Sequence, residues 1–126
     1  MSLLSFLITL GYWIRLRDGK LNNVNGLNIS AVELNHKLGK KATIVQFSTT
    51  FCSECRTAKA IVKNVVKDFK DIAYVEVDAE SNLELVRKVD IRSTPTTIFL
   101  DSKGFEIVRA KGAPKRDQLI KALEAI

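Results

Sequence analysis

The chain's only two cysteines, Cys52 and Cys55, lie in the stretch QFSTTFCSECRTAKAIV (46–62), separated by Ser53 and Glu54. Two sulfurs at this spacing can exchange as a dithiol and a disulfide, form half of a tetrahedral metal site, or sit as small inert residues in a core. Their setting separates these readings. The β-branched, apolar ATIVQF (42–47) predicts a buried strand. Ala58, Ile61, Val62, Val65, Val66 and Phe69 recur at three- and four-residue steps, which predicts an amphipathic helix over about 53–69. Cys52 therefore follows a strand and a four-residue loop and opens a helix. The first turn of a helix carries unpaired N–H groups and a partial positive charge, and both favour an anion. A thiol placed there ionises more readily, and the thiolate is the nucleophile of disulfide exchange. Cys55 is one turn further on the same side, near enough to close a disulfide. Cys52 is then the more exposed, attacking sulfur and Cys55 the resolving one.

The other chemistries fit less well. A structural zinc needs four ligands, and beyond the two cysteines the chain holds one histidine, His36. A carboxylate or a second chain would have to complete the set, so no metal is expected. Flanked by Asn35 and Lys37, His36 reads as an exposed helix residue. Inert core cysteines do not call for a strand–loop–helix junction. Exchange between thiols and disulfides needs no organic cofactor.

The elements that must hold the pair follow from residue 30 onward. SAVELNHKLG has Ser30 as N-cap, Glu33 completing a capping box and Gly39 as a stop, which predicts a short helix. IAYVEVD (72–78) predicts a strand. SNLELVRKVD predicts a helix capped by Ser81 and Glu84. PTTIFLD and FEIVRA read as strands joined by the turn DSKG. APKRDQLIKALEAI predicts a closing helix, with Pro114 near its start and Leu119, Ile120, Leu123 and Ile126 on one face. The order is α-β-α-β-α-β-β-α. Strands separated by helices imply parallel crossovers, and the last hairpin adds antiparallel pairing. The fold class is α/β, a mixed central sheet with helices on both faces.

A length of 126 residues suits one such domain, with 46% hydrophobic and 27% charged residues. A domain of this size folds without staples, so stability does not require the cysteines. Nor do two of them make the dense framework of a small secreted protein. The charge of +6 comes from basic residues spread along the chain, without the alternating aromatics of a base-stacking platform. It reads as a solvated basic surface, with no nucleic-acid partner expected.

Residues 1–17 differ from the rest. Nothing before Arg15 is charged, and ten of the first fourteen residues are apolar. Fourteen helical residues reach about 21 Å against a hydrocarbon core of about 30 Å. A membrane anchor over residues 1–16 therefore needs Tyr12 and Trp13 in the interface and Arg15 and Arg17 snorkelling to water. The basic cluster follows the apolar run and no small-residue cleavage site is present, unlike a signal peptide. Arg15, Arg17 and Lys20 would hold the following domain on the cytoplasmic side. The alternative is a helix packed on the domain or on a partner. RDGKLNNVNGLN reads as a linker, giving an expected division into an apolar segment (1–17), a linker or loop (18–29) and a domain (30–126).

VQFSTTFCSECRTAK, IRSTPTTIFLDSKG and KGAPKRDQLIKAL resemble the thioredoxin family, and the resemblance covers roughly residues 30–126. It implies the thioredoxin fold and a protein-disulfide reductase or general thiol–disulfide oxidoreductase, with Cys52 and Cys55 as its redox-active centre. It implies that Pro95 is a cis-proline facing the cysteines and that the Thr94 backbone pairs with a bound substrate strand. Phe51 and Ile91 would complete a shallow docking surface. The implied partners are disulfide-containing client proteins and an external reductant, such as a thioredoxin-reductase-like flavoenzyme, which places the protein in electron transport and cell redox homeostasis. Two narrower readings stand beside this one: a membrane-tethered exchanger dedicated to one client, and a redox sensor or binding module that does not turn over.

The departures from the family pattern carry information. Phe51 stands where a Trp is usual, and Ser53-Glu54 where Gly-Pro is usual. The family's buried acid aligns with Gln46 and its lysine partner with Tyr74. Gln46 cannot titrate, so the proton route to Cys55 through that position is absent or runs through water, and resolution is expected to be slower. Glu54 opposes ionisation of Cys52, whereas Arg56 and Lys59 favour it.

Overall fold

Strand β1 (Ala42–Ser48) is buried along its whole length, as its mostly apolar and β-branched residues, interrupted by Gln46 and Ser48, suit in a strand covered on both faces. It lies at the centre of the site's scaffold. The computed structural model describes residues 27–125. In chain order these form α1 (Ala31–Leu34), β1, α2 (Ser53–Val66), β2 (Ile72–Asp78), α3 (Leu83–Lys88), β3 (Thr96–Asp101), β4 (Glu106–Lys111) and α4 (Arg116–Glu124). The order is the one predicted from the hydrophobic periods.

The four strands make one sheet in the order β2-β1-β3-β4. β1 runs parallel to β2, and β3 is antiparallel to both β1 and β4. The mixed sheet thus arises as expected, from one helical crossover and one closing hairpin. That hairpin turns at Gly104, whose φ of 93° only glycine adopts without strain.

Alternation along β1 divides the interior in two. Val45 and Phe47 join Leu34 of α1, Leu85 of α3 and Ile98 and Leu100 of β3 on one face. Ile44 joins Val62 and Val65 of α2, Phe99, and Leu119 and Leu123 of α4 on the other. Each fully buried side chain of this size contributes about 1.5–3 kcal/mol. The two layers therefore hold the sheet, and with it the β1–α2 junction, in place.

Several local expectations are corrected. α1 ends at Asn35, which takes the left-handed conformation (φ 51°) and donates its N–H back into the helix; Gly39 is not the stop. Gly39 is small for another reason. A Cβ there would lie 2.6 Å from the Ala73 nitrogen and 2.8 Å from the Asp71 oxygen. α2 stops at Val66, and Phe69 packs on the core from the turn beyond it. The capping box at Ser81 and Glu84 does not form. Asn82 is the N-cap without a side-chain bond to the helix's amides, and the Ser81 hydroxyl donates instead to Asp78 Oδ2 at 2.8 Å. The box at Ser30 and Glu33 does form.

Residues 27–29, expected at the end of the linker, belong to the domain. Asn28 bridges Phe105, the Ile29 N–H donates to Gly104 O, and Ile29 is fully buried. The apolar segment 1–17, the rest of the expected linker and Ile126 lie outside the described residues. Among the described residues no helix is long and apolar enough to cross a membrane.

Candidate active site

β1 delivers the chain to the cysteines through the loop 49–51. Cys52 is the N-cap of α2, with extended backbone, and its Sγ accepts the Cys55 N–H at 3.1 Å. One of the helix's unpaired amide groups is thus aimed at the sulfur. Cys52 and Cys55 are joined by a disulfide with a Cα–Cα distance of 5.2 Å. Cys52 is half-buried, whereas Cys55 is only 4% exposed. This asymmetry suits an attacking sulfur and a sheltered resolving one. A loop this short gives a disulfide little entropic leverage, about 2 kcal/mol, so the fold rests mainly on its two core layers.

The second approach to the site comes from the β3 side. The Thr94–Pro95 peptide is cis, and Pro95 is buried just before Thr96, which pairs with Phe47 of β1. Thr94 Oγ1 lies 3.5 Å from Thr49 Oγ1, linking this loop to the one that leads to Cys52. The Pro95 carbonyl is taken up by the Gly112 N–H at 2.8 Å. Gly112 has φ 78°, and the Glu54 carboxylate lies over it. Neither the N–H nor the C=O of Thr94 has a partner among the described residues. In an ordered turn beside a strand end, such groups are available to a bound chain.

Beneath the disulfide is a buried polar layer. Gln46, fully buried, donates from Nε2 to Ser48 Oγ at 2.9 Å and to the Cys55 carbonyl at 3.0 Å. Its Oε1 accepts the Tyr74 hydroxyl at 2.9 Å. Burial, and secondarily the charge of Glu76, raises the Tyr74 phenol well above its ordinary range, so it stays protonated. Directly across from Gln46 on β3 sits Thr97, whose buried hydroxyl has no partner among the described residues.

Residues 27–125 match the family Thioredoxin. The chain belongs to the thioredoxin family. Among curated thioredoxins it is 37% identical over 60 residues to Thioredoxin H5 of Oryza sativa subsp. japonica, covering 48% of this chain and 44% of that protein. It is 30% identical over 91 residues to Thioredoxin H2-1 of the same plant, covering 72% and 64%. The chain thus spans less than two thirds of the length of these two relatives. Among solved structures, thioredoxin-2, described as a component of malaria parasite protein secretion machinery, superposes with a TM-score of 0.62. At 24% identity over 68% of this chain and 84% of that one, it shows the shared fold.

Against the thioredoxin pattern, the residues singled out in the sequence divide. Cys52, Cys55, Thr94 and Pro95 converge on the ends of β1 and β3. Phe51 projects into solvent beside them, 96% exposed. Ile91 is partly buried, with part of its side chain packed against the core layer containing Leu85 and Val89. Lys59, expected to favour the thiolate, is held 3.4 Å from Glu76 on β2. His36 is exposed beyond the end of α1, its Nδ1 2.7 Å from the Lys37 carbonyl. Thr49, Ser48 and Thr97 gave no signal in the sequence, because their roles follow from strand register alone. Clefts whose linings leave out the cysteines are present among the described residues, one of about 250 Å³ lined by Ser48, Thr49, Thr50, Glu76 and Asp78. Another of about 490 Å³ lies between α1 and α3, lined by Glu33, Ser81, Leu83 and Lys88 among others. The sulfurs sit on an open surface, which suits a macromolecular client.

Proposed function

We propose that the chain is a thiol–disulfide oxidoreductase that reduces disulfides in client proteins through Cys52 and Cys55. The observation that carries this is the Cys52 sulfur at the α2 N-cap, accepting the Cys55 N–H with the second sulfur in bonding reach. In the reduced protein the same amide meets a thiolate, and hydrogen bonds to charged partners are about twice as strong as neutral ones. Cys52 S⁻ attacks a client disulfide, giving a Cys52–client mixed disulfide and one client thiolate. Cys55 loses its proton to solvent, attacks Cys52 Sγ and expels the second client thiolate. Two electrons pass to the client, and the chain is left as the Cys52–Cys55 disulfide. An external dithiol or flavoenzyme reductant must return them.

Client docking on this reading uses the exposed Phe51 and the free backbone groups of Thr94, with Pro95 holding that turn and the exposed part of Ile91 at the rim. The apolar residues 1–16 favour a narrower form in which the domain is tethered to a membrane, on its cytoplasmic side, near one client. Sedimentation of the full chain with membranes, resistant to high salt, is expected of the tethered form; recovery in the soluble fraction argues against it. The exchange itself is tested with Cys55→Ser. That variant is expected to accumulate covalent, reductant-sensitive adducts with client proteins through Cys52. If none form while Cys52 still reacts with alkylating reagents, the exchange reading fails.

A further inference from the structure

We propose that Gln46 is a positioning residue for Cys55: its neutral amide holds the first turn of α2 against the sheet and leaves the resolving thiol to ionise with no side-chain base beside it. This rests on the exchange proposed above for Cys52 and Cys55. Both Gln46 donors are committed, one to Ser48 Oγ and one to the Cys55 carbonyl, and its acceptor is committed to Tyr74. A fully buried amide so engaged has one orientation. It connects β1, β2 and the backbone of Cys55 in a single chain of hydrogen bonds, with the register of the sheet behind it.

The groups around Cys55 are neutral or turned elsewhere. On β1, Gln46 and Ser48 do not titrate. On β2, Tyr74 holds its proton, and the two carboxylates in register with Gln46 and Ser48 are exposed and engaged elsewhere: Glu76 faces Lys59, and Asp78 accepts from the Ser81 hydroxyl and the Glu80 N–H. On α2, Glu54 and Arg56 are exposed on the first turn. β3 contributes Thr97 and β4 its neighbour Ala110. From α4, Arg116 donates to Asn64 of α2. Among the described residues no carboxylate, imidazole or amine lies within this buried layer. In the resolving step the Cys55 S–H proton therefore goes to water, the thiolate attacks Cys52 Sγ, and the departing thiolate leaves with the electron pair of the broken bond.

The test uses the reduced full chain and a small aromatic disulfide. Cys52 attack releases a first aryl thiolate and Cys55 attack a second, so the two steps appear as separate phases. In the wild type the second phase is expected to rise with pH through one ionisation. The Cys55 Cβ chemical shift should report only thiol transitions between about pH 5 and pH 10. Gln46→Glu places a titrating group of the same shape in the layer and is expected to add a second inflection to both profiles. Gln46→Leu is expected to slow the second phase about tenfold, the scale of the lost bond to the Cys55 carbonyl, and to slow it more than the first phase. A non-thiol inflection already present in the wild type, no added inflection in Gln46→Glu, or a second phase within twofold of wild type in Gln46→Leu overturns the proposal. The wild-type titration needs no variant to fold and no client to turn over. A failure of the exchange reading is therefore seen separately, as an absent first phase.

Discussion

Replacing Phe51 by Ala separates docking from folding, because the side chain is 96% exposed and packs on nothing in the domain. Surface changes away from caps and buried networks alter stability by less than about 0.5 kcal/mol. The melting temperature is therefore expected to move by no more than about 2–4 °C in a domain of this length. Burying a whole phenyl side chain is worth about 1.5–3 kcal/mol. A client lying across an open surface covers about half of it, so about 1 kcal/mol of binding is at stake, which is about fivefold in kcat/KM. The contact is made equally in the bound and transition states, so the change belongs in KM with kcat nearly constant. Steady-state reduction of a protein disulfide, coupled to a saturating external reductant, measures both constants, and thermal unfolding by circular dichroism measures the control. Phe51→Leu should recover most of the loss. Ile91→Ala is a poor substitute because its side chain packs on the core. Because the side chain is only partly buried, truncating it costs about 1–2 kcal/mol in stability, below the roughly 2–5 kcal/mol of a fully buried aliphatic truncation, and this would blur any docking effect. Unchanged kcat/KM in Phe51→Ala would remove Phe51 from the docking surface. A melting point lowered by much more than about 4 °C would show that the side chain is packed after all.

Two further outcomes follow from other parts of the molecule. The Glu33 carboxyl is held below its ordinary value chiefly by the hydrogen bond from Lys88 and also by bonds from Ser30, against a smaller opposing effect of burial. A carboxylate whose folded pKa is depressed contributes stability that is present above its unfolded value, near 4.5, and is lost as pH falls through the folded one. The difference in urea midpoint between wild type and Glu33→Gln should thus shrink as pH is lowered from about 6 to about 3, and a constant difference contradicts the assignment. At the hairpin, Gly104→Ala forces a side chain onto a φ of 93° with its Cβ against the Ile29 carbonyl. It is expected to cost at least about 1 kcal/mol, about 4 °C or more in melting temperature. The hairpin turn is at the far end of β3 from Pro95, so exchange below the transition should keep its rate; an unshifted melting point would contradict the close approach.

Features that the sequence carries locally were legible in it. The strand before Cys52 shows as an apolar run, the helix after it as a three-and-four periodicity, and the turn at Gly104 as a glycine between two strand patterns. The capping box at Ser30 and Glu33 formed where its spacing said it should. The one at Ser81 and Glu84 did not, because α3 starts one residue later with Asn82 as its N-cap, while the Ser81 hydroxyl is turned to Asp78 at the end of β2. A capping motif is a set of donors and acceptors, and whichever partner the preceding turn brings closest takes them. Asn35 ended α1 ahead of Gly39 for a related reason. Asn tolerates the left-handed conformation, so the first residue able to turn did so.

What the sequence could not show is which side chains meet across the sheet. Tyr74 pairs in register with Ile44, not with Gln46, and its hydroxyl reaches Gln46 along the diagonal to the next same-face position on β1. Read along the chain, Gln46 and Tyr74 are two separate departures from the thioredoxin pattern, at positions 28 residues apart. In the fold they form one hydrogen-bonded unit whose third member is the Cys55 carbonyl. Substituting either partner alone leaves the other's buried polar atom unmet, at about 1–3 kcal/mol. The unit therefore constrains both positions together. It also explains how the region beneath the cysteines can be polar, largely buried and uncharged at once: each group in it except the Thr97 hydroxyl finds a neutral partner among the described residues, so the helix that presents Cys52 is seated on hydrogen bonds that pH does not switch.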